Sequence, residues 1–395
     1  MGLAGRVERG SLTLQPAATT PPDPETIMIK KRYKYTVGID LGDRECHFAV
    51  VRGVGGEEDI ALVETGVTPT TADGMLEWFL GRPPMRVVLE VGTHARWIAI
   101  LLESQGHEVL VCNPRKLPEI SDNPRKSDFV DAETLARIGH TDTARLTLLV
   151  DFTSRDVISL ALIRAHERLV RDRKNLVNHV RGVVKSFGAR IDACEARRFH
   201  RFRHQIPADL APILEPMVDI IEGMTKQIYA YEREMEKMLA QAYPEESARL
   251  RQLHGVGAKT ALYFIAIVGD PERFANGRKF GGYLGFGQRR RQSGESDPHM
   301  PISKAGAPLL RALLVGAAQK MLDHRAPDSA LRDWAVRRRA GQTRSQKNRI
   351  KVALARKLAV LMLHLLKTGQ EYHPYPNGGG PDRDAELVMH REAIA

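Results

Sequence analysis

The sequence predicts an α/β domain followed by a longer helical half. Three observations carry this: short β-type runs alternate with amphipathic segments from Tyr35 to Cys112, helical periodicity takes over at Ser127, and a strict four-three spacing of apolar residues runs from Met217 to Ala242. Residues 1–33 come before all of this. They are polar and turn-rich, with Pro16, Pro21, Pro22 and Pro24 and no regular period, so a disordered leader is expected there, with Met28 as an alternative start. Tyr35-Thr-Val-Gly-Ile-Asp-Leu-Gly and Cys46-His-Phe-Ala-Val-Val-Arg then read as two strands joined by a short turn around Gly42 and Asp43, the opening hairpin of a mixed sheet. An amphipathic segment near Met75 to Leu80 follows. Met85 to Glu90 is a further strand, Ala95 to Gln105 a helix, and Glu108 to Cys112 a strand closed by Asn113-Pro114.

The helical half begins with a long pattern from Leu160 to Phe187, crowded with Arg164, Arg168, Arg171, Arg173, Lys174, Arg181 and Lys185. The run Met217, Ile221, Met224, Ile228, Tyr231, Met235, Met238, Ala242 has a period of 3.5 rather than 3.6, which argues for helix pairing in a coiled coil, within the chain or across a dimer. The plainer alternative is one amphipathic helix on its own domain. A third region opens with Leu253-His-Gly-Val-Gly-Ala-Lys-Thr-Ala, where Gly255 and Gly257 would close a tight turn of the helix-hairpin-helix kind. Such a turn leaves N–H groups at a helix start free to hold a phosphate, with Lys259 close by. An ordinary helix corner would use the same glycines. The expected organisation is a leader at 1–33, a mixed-sheet domain at 34–150, a helical linker with coiled coil at 151–248, a helical domain at 249–375 and a tail at 376–395.

Composition narrows the function. The chain has 395 residues, with 59 Lys and Arg against 48 Asp and Glu, a formal net charge of +11. This favours a polyanionic partner, and the basic runs at Arg289, Arg290 and Arg291, at Arg337 to Arg339, and at Arg344, Lys347, Arg349 and Lys351 place that charge beside the glycine turn. The apolar stretch Leu358 to Leu366 is far short of the roughly 20 residues a spanning helix needs. Neither membrane insertion nor secretion is expected, and a cytoplasmic location is. Three separated cysteines, Cys46, Cys112 and Cys194, exclude a zinc finger or disulfide framework, so any metal must sit on carboxylates.

Four carboxylates are placed to do so. Asp40 interrupts an apolar strand, Glu90 ends another, and Asp128 and Asp131 lie three apart at a helix start, on one face. Brought together, they would hold two Mg²⁺ ions and leave coordination positions for phosphate and water, the arrangement that stabilises both oxygens of an in-line phosphoryl transfer. Asp128 after Ser127 has a purely structural alternative, favouring a helix N-terminus. Asp43 and Glu45 read as turn residues.

These residues resemble a known family. Tyr35-Thr-Val-Gly-Ile-Asp40, Val88-Leu-Glu90, Asn113-Pro114 and Lys126-Ser-Asp128-Phe-Val-Asp131 are similar to the RuvC-like, RNase H-fold domain of DEDD-type insertion-sequence transposases. Leu253-His-Gly-Val-Gly, Val268-Gly-Asp-Pro-Glu-Arg-Phe, Gly282-Tyr-Leu-Gly-Phe, Gln292-Ser-Gly-Glu and Ile302-Ser-Lys-Ala-Gly resemble that family's C-terminal transposase domain. The resemblance runs from about residue 34 to 373 and departs at Ala307-Pro308, where family members commonly carry Gly-Asn. It implies a recombinase that excises and inserts its element, guided by a noncoding bridge RNA paired with donor and target DNA. Asp40, Glu90, Asp128 and Asp131 would be the metal-binding tetrad, and Ser293 a nucleophile that becomes joined to DNA. Ser303 is the rival serine; with Lys304 it reads either as nucleophile and base or as phosphate contacts. Activation of Ser293 would require the two domains, from one subunit or two, to meet over DNA, and work at two DNA ends implies a dimer or tetramer. Alternatives are a junction nuclease that uses water on the same acids, a non-catalytic DNA binder, and an actin-like kinase or ATPase suggested by Val37-Gly-Ile-Asp-Leu-Gly. The last lacks a second Asp-x-Gly phosphate loop.

Overall fold

Alternation along the first strand sets the layering of the N-terminal part. In β1 (Tyr35–Leu41), Val37 and Ile39 are buried on one face with Met75 and Phe79 of α1 (Ala72–Phe79) and Ile98 and Leu102 of α2 (Ala95–Ser104). Gly38 and Asp40 face the other side, which α3 (Asp128–Thr141) covers. The computed structural model describes residues 33–53, 60–112, 127–143, 157–289 and 300–376, and the chain divides into two units, Met1–Phe152 and Thr153–Ala395.

The sheet of the first unit has the order β3-β2-β1-β4-β5, with β2 at Glu45–Gly53, β3 at Ile60–Pro69, β4 at Arg86–Glu90 and β5 at Glu108–Cys112. β1, β2 and β3 form an antiparallel meander, and β4 and β5 continue it parallel to β1. A meander extended by parallel strands, with helices on both faces, is the RNase H-like arrangement that the resemblance implies. β3 is the element that sequence pattern does not mark. It is an edge strand with Leu62, Val63 and Val67 all more than 40% exposed, so it shows no buried alternation.

α3 meets the sheet at unusually close range. A Cβ on Gly38 would lie 2.0 Å from the Ala132 carbonyl oxygen and 2.5 Å from the Ala136 nitrogen, and one on Gly139 would lie 2.3 Å from Val88 Cγ2. Only hydrogen side chains permit that approach. The far end of α3 is pinned by Arg86 Nη1, which donates to the Gly139 carbonyl at 2.9 Å, and by a 2.9 Å hydrogen bond between Thr36 Oγ1 and His140 Nδ1.

In the second unit, α4 (Val157–Ser186) packs along α5 (Ala211–Ala242), with a 3₁₀ segment at Ala196–Gln205 between them. α6 (Pro244–Arg251), α7 (Ala258–Val268), α8 (Gly277–Tyr283), α9 (Pro308–Met321), α10 (Ala330–Arg339) and α11 (Arg344–Thr368) build one further core. The apolar stretch from Leu358 belongs to α11, where Leu358, Met362 and Leu363 are buried. Along α5 the buried positions are Leu214, Val218, Ile221, Thr225, Ile228, Met235 and Leu239. The expected Ile221, Ile228 and Met235 belong to that stripe. The positions alternating with them fall one residue later than expected, at Val218, Thr225 and Leu239 rather than Met217, Met224 and Met238, and Ala242 is exposed. Thr225 is the reason that hydropathy misplaces the stripe: a polar residue fills a seam position because its hydroxyl donates to Ile221 O at 2.8 Å and accepts from Arg173 Nη1 at 3.1 Å.

Gly38→Ala is expected to destabilise the first unit by about 2 kcal/mol or more, since a backbone oxygen must retreat rather than a flexible side chain. Urea unfolding of this variant beside Gly92→Ala, where a Cβ meets nothing within 4 Å, checks this.

Candidate active site

α3 runs antiparallel to β1, so each step back along the helix meets a residue further along the strand. His140 sits at Thr36 and Ala132 and Ala136 at Gly38, and the first turn, Asp128 and Asp131, therefore arrives over Asp40. Ser127 starts that turn as the helix cap, its Oγ accepting from the Val130 N–H at 3.3 Å. Asp131 is 4% exposed, whereas Asp128 stands largely in solvent. The carboxyl of Asp40 is pushed above the usual carboxylate range, first by burial and then by the charges of Asp128 and Asp131. Three of the four sequence-predicted acids thus act on one another.

Glu90 reaches the same strand end by a different route. β1 and β4 pair in parallel up to Ile39 against Leu89, so the next positions, Asp40 and Glu90, stand level on the face that α3 covers. Glu90 pairs in register with Cys112, whose thiol is pushed up to about 12, by burial first and then by the Glu90 charge.

His47 joins the site without any mark in the sequence pattern. It is the cross-strand partner of Asp40 in the opening hairpin, its Nδ1 lies 3.6 Å from Asp128 Oδ2, and its ring meets Phe129 edge-on with centroids 4.7 Å apart. Its charge, when present, opposes the upward push on Asp40. Asp43, in the turn of that hairpin, lies 3.4 Å from His94 Nε2.

The donors at this site are carboxylate oxygens with one imidazole beside them, a hard set suited to Mg²⁺, Mn²⁺ or Ca²⁺ rather than to softer metals. Among the described residues, no group of three or more acids, histidines or cysteines already stands in ligand geometry. The mutual repulsion at Asp40 is what a divalent cation between these carboxylates would relieve, so the residues fit such an ion in chemistry and in charge.

The glycine turn lies in the second unit, between α6 and α7. Gly255 has φ +89°, and a Cβ there would approach the Ala317 carbonyl oxygen to 2.7 Å. Gly257 is the N-cap of α7 with no side chain capping it, and a cleft of about 660 Å³ lies here, lined by Gly255, Gly257, Lys259, Lys320 and Arg233. Lys259 is not free to meet a phosphate unaided: its Nζ lies 2.6 Å from Glu167 Oε1. The His166 ring and this ammonium together hold the Glu167 carboxyl down to about 2.

Ser293, Arg290 and Arg291 lie outside the described residues, as does Asn113-Pro114. The flanks of the serine segment are described. Gln288 bridges Ile302, the Arg289 N–H donates to Pro301 O at 3.0 Å, and Ser303 N–H to Gly287 O at 2.7 Å. The Arg289 guanidinium reaches Ser303 O at 3.4 Å, and the Ser303 hydroxyl accepts from the Ala305 N–H at 3.4 Å. Lys304 has φ +58°, the left-handed region, and is the one non-glycine among the described residues to do so. The departure at Ala307-Pro308 has a local use, since Pro308 opens α9 at the first helical turn, where proline is favoured.

A sheet of this order, carrying carboxylates on two strand ends and on the covering helix, defines an RNase H-like domain of the kind that processes phosphodiesters. Family models make the class particular: one described as "Transposase IS116/IS110/IS902 family" matches residues 247–332, and a DEDD transposase model of the IS110 type matches residues 37–188. The transposase for insertion sequence element IS1111A of Coxiella burnetii is 30% identical over 261 residues, covering 62% of this chain and 68% of that protein. The transposase for IS1328 of Yersinia enterocolitica is 28% identical over 331 residues, 82% of this chain and 94% of its own length. The RuvC structure of Thermus thermophilus matches 28% of this chain and 95% of its own at 18% identity, with a TM-score of 0.23. The chain belongs to the IS110-type family of DEDD insertion-sequence transposases and is a DNA transposase.

The carboxylate repulsion makes a stability prediction. Asp40→Asn is expected to melt several degrees above the unsubstituted protein in chelator, because it removes a charge that folding disfavours, and adding Mg²⁺ or Mn²⁺ is expected to raise the melting temperature of the unsubstituted protein but not of the variant. Thermal melts with and without EDTA provide the check.

Proposed function

We propose that the protein cleaves, exchanges and rejoins DNA strands at the ends of its element and at a target, in a Mg²⁺-dependent reaction that passes through a serine–DNA covalent intermediate at Ser293. The observation that carries this reading is the convergence of Asp40 with Asp128 and Asp131 under the first turn of α3, with Glu90 level on the next strand. Asp40, Glu90, Asp128 and Asp131 would hold the ions, two in number. Bound there, magnesium supplies charge stabilisation to an in-line phosphoryl transfer.

The remaining roles fall to the chain. The sheet and α3 keep the carboxylates from spreading as their charges demand. The Ser293 Oγ forms a bond to phosphorus while the bond from phosphorus to the departing deoxyribose oxygen breaks, and that oxygen leaves as a hydroxyl with the proton the reaction releases. The phosphodiester is kept as a phosphoserine ester, so the reverse attack by a deoxyribose hydroxyl rejoins DNA without ATP. Arg289, Arg290 and Arg291 would neutralise the attacked phosphate. The turn at Gly255 and Gly257, the start of α7, and Ser303 with Lys304 would hold backbone phosphates without reading sequence. Work at two DNA ends favours a dimer or tetramer. A noncoding guide RNA rests on the family resemblance, and the basic charge accommodates it.

A second reading is favoured by His47, which stands by Asp40 and Asp128, where a water attacking phosphorus would lose its proton. In that case the protein is a metal-dependent junction nuclease, and Ser293 has no chemical role.

The two readings separate in a covalent-adduct assay. Protein recovered under denaturing conditions from cells carrying the gene with its flanking DNA is expected to retain DNA in the unsubstituted form and in Ser303→Ala, and to lose it in both Ser293→Ala and Asp40→Ala. Cleavage without an adduct, undiminished in Ser293→Ala, would establish the water-using nuclease.

A further inference from the structure

The 3₁₀ segment Ala196–Gln205 carries Arg197, Arg198, Arg201 and Arg203, and the strand-transfer chemistry uses none of them. At three residues per turn, positions three apart eclipse one another. Phe199 and Phe202 share the ridge turned toward the helices; Phe199 is 1% exposed, with the Arg181 guanidinium 5.3 Å from its ring centre. Arg198 and Arg201 consequently share a different ridge, about 6 Å apart along the axis, and both are exposed. That repeat is comparable to consecutive phosphates on a nucleic-acid strand. Lys226 and Tyr229 of α5 complete a cleft of about 410 Å³ with these arginines.

The charge in this cleft is not balanced from within. Glu222, on its wall, is answered by Lys226 at 2.9 Å and Arg203 at 3.4 Å, and Arg197 is answered by Glu195 at 2.5 Å. Among the described residues Arg198 and Arg201 have no carboxylate within 4 Å, and neither has Arg173 of α4, only 9% exposed, whose Nη1 reaches Thr225 in the cleft lining at 3.1 Å. The charge of Glu232 favours the ionised Arg173, so the guanidinium groups left without an ion pair on this wall are the exposed Arg198 and Arg201. Tyr229, 40% exposed, offers a ring on which a base can stack, and it also lines the cleft beside the glycine turn.

We propose that this cleft is a nucleic-acid site in its own right, holding the phosphodiester backbone of a single strand on Arg198 and Arg201, with a base against Tyr229. The site stands on the helical unit alone and depends on neither the acid site nor Ser293. The strand is DNA or RNA, which share this backbone chemistry.

The test measures binding by the full-length protein, in EDTA, to labelled single-stranded DNA, single-stranded RNA and duplex DNA of matched sequence across a range of salt. The double variant Arg198→Ala with Arg201→Ala is expected to bind at least one of the single strands about tenfold more weakly at low salt, and to lower the slope of log affinity against log salt by about 1.4, at ~0.7 for each phosphate that the protein no longer neutralises. Arg198→Lys with Arg201→Lys is expected to keep most of both. The single strand that responds identifies the natural polymer. Affinity and slope unchanged for all three polymers, or changed for the duplex alone, overturn the proposal. A melting temperature equal to that of the unsubstituted protein excludes misfolding, and adduct formation in the same variants reports separately on the catalytic reading.

Discussion

The contact between β1 and α3 at Gly38 is the constraint on which the acid site depends. Because the helix backbone rests on the strand backbone there, with no side chain between, the first turn of α3 has no freedom to lift from Asp40. Gly139 repeats the device at the other end against Val88, and Arg86 and Thr36 lock that end by hydrogen bonds. The lever so formed is rigid over its whole length. Its free end carries Asp128 and Asp131, and its fixed end carries the packing at Gly139 and these hydrogen bonds.

Holding like charges together is what this rigidity achieves. Asp131 is buried, Asp40 half-buried, and each raises the energy of the other's ionised form. A looser domain would relax by separating them. Here the burial of Val37, Ile39, Ile98 and Leu102 on the opposite face opposes any such relaxation, because moving β1 would open the core behind it. The hydrophobic side of the sheet therefore stabilises an electrostatic arrangement on its other side.

Much of this is legible in the sequence, and the reasons differ residue by residue. Asp40 stands out because a charge in an apolar strand demands explanation, and the i, i+3 spacing of Asp128 and Asp131 follows from helix geometry alone. His47 is legible in principle, since a tight hairpin about Gly42 and Asp43 sets it opposite Asp40, but a histidine in a strand carries no signal without that register. β3 is hidden by its exposure. Thr225 and the 3₁₀ segment are hidden for a related reason: hydropathy sees neither a polar side chain buried by its hydrogen bonds nor a period of three in an arginine-rich stretch. The lysine of the glycine turn illustrates the converse, a residue rightly noticed whose charge is engaged by a partner, Glu167, that lies 92 positions away in sequence.

The short ladder joining Gln288 and Arg289 to Pro301 and Ile302 holds the two described flanks of residues 290–299 together at a single place. The entropy of closing a chain between two flanks so fixed grows only with the logarithm of the number of residues that join them. A change in the number of residues between the flanks would therefore cost the fold little, and the helices that carry the flanks would keep their packing. Preservation of the helical packing is then separable from the length of the chain that joins these flanks.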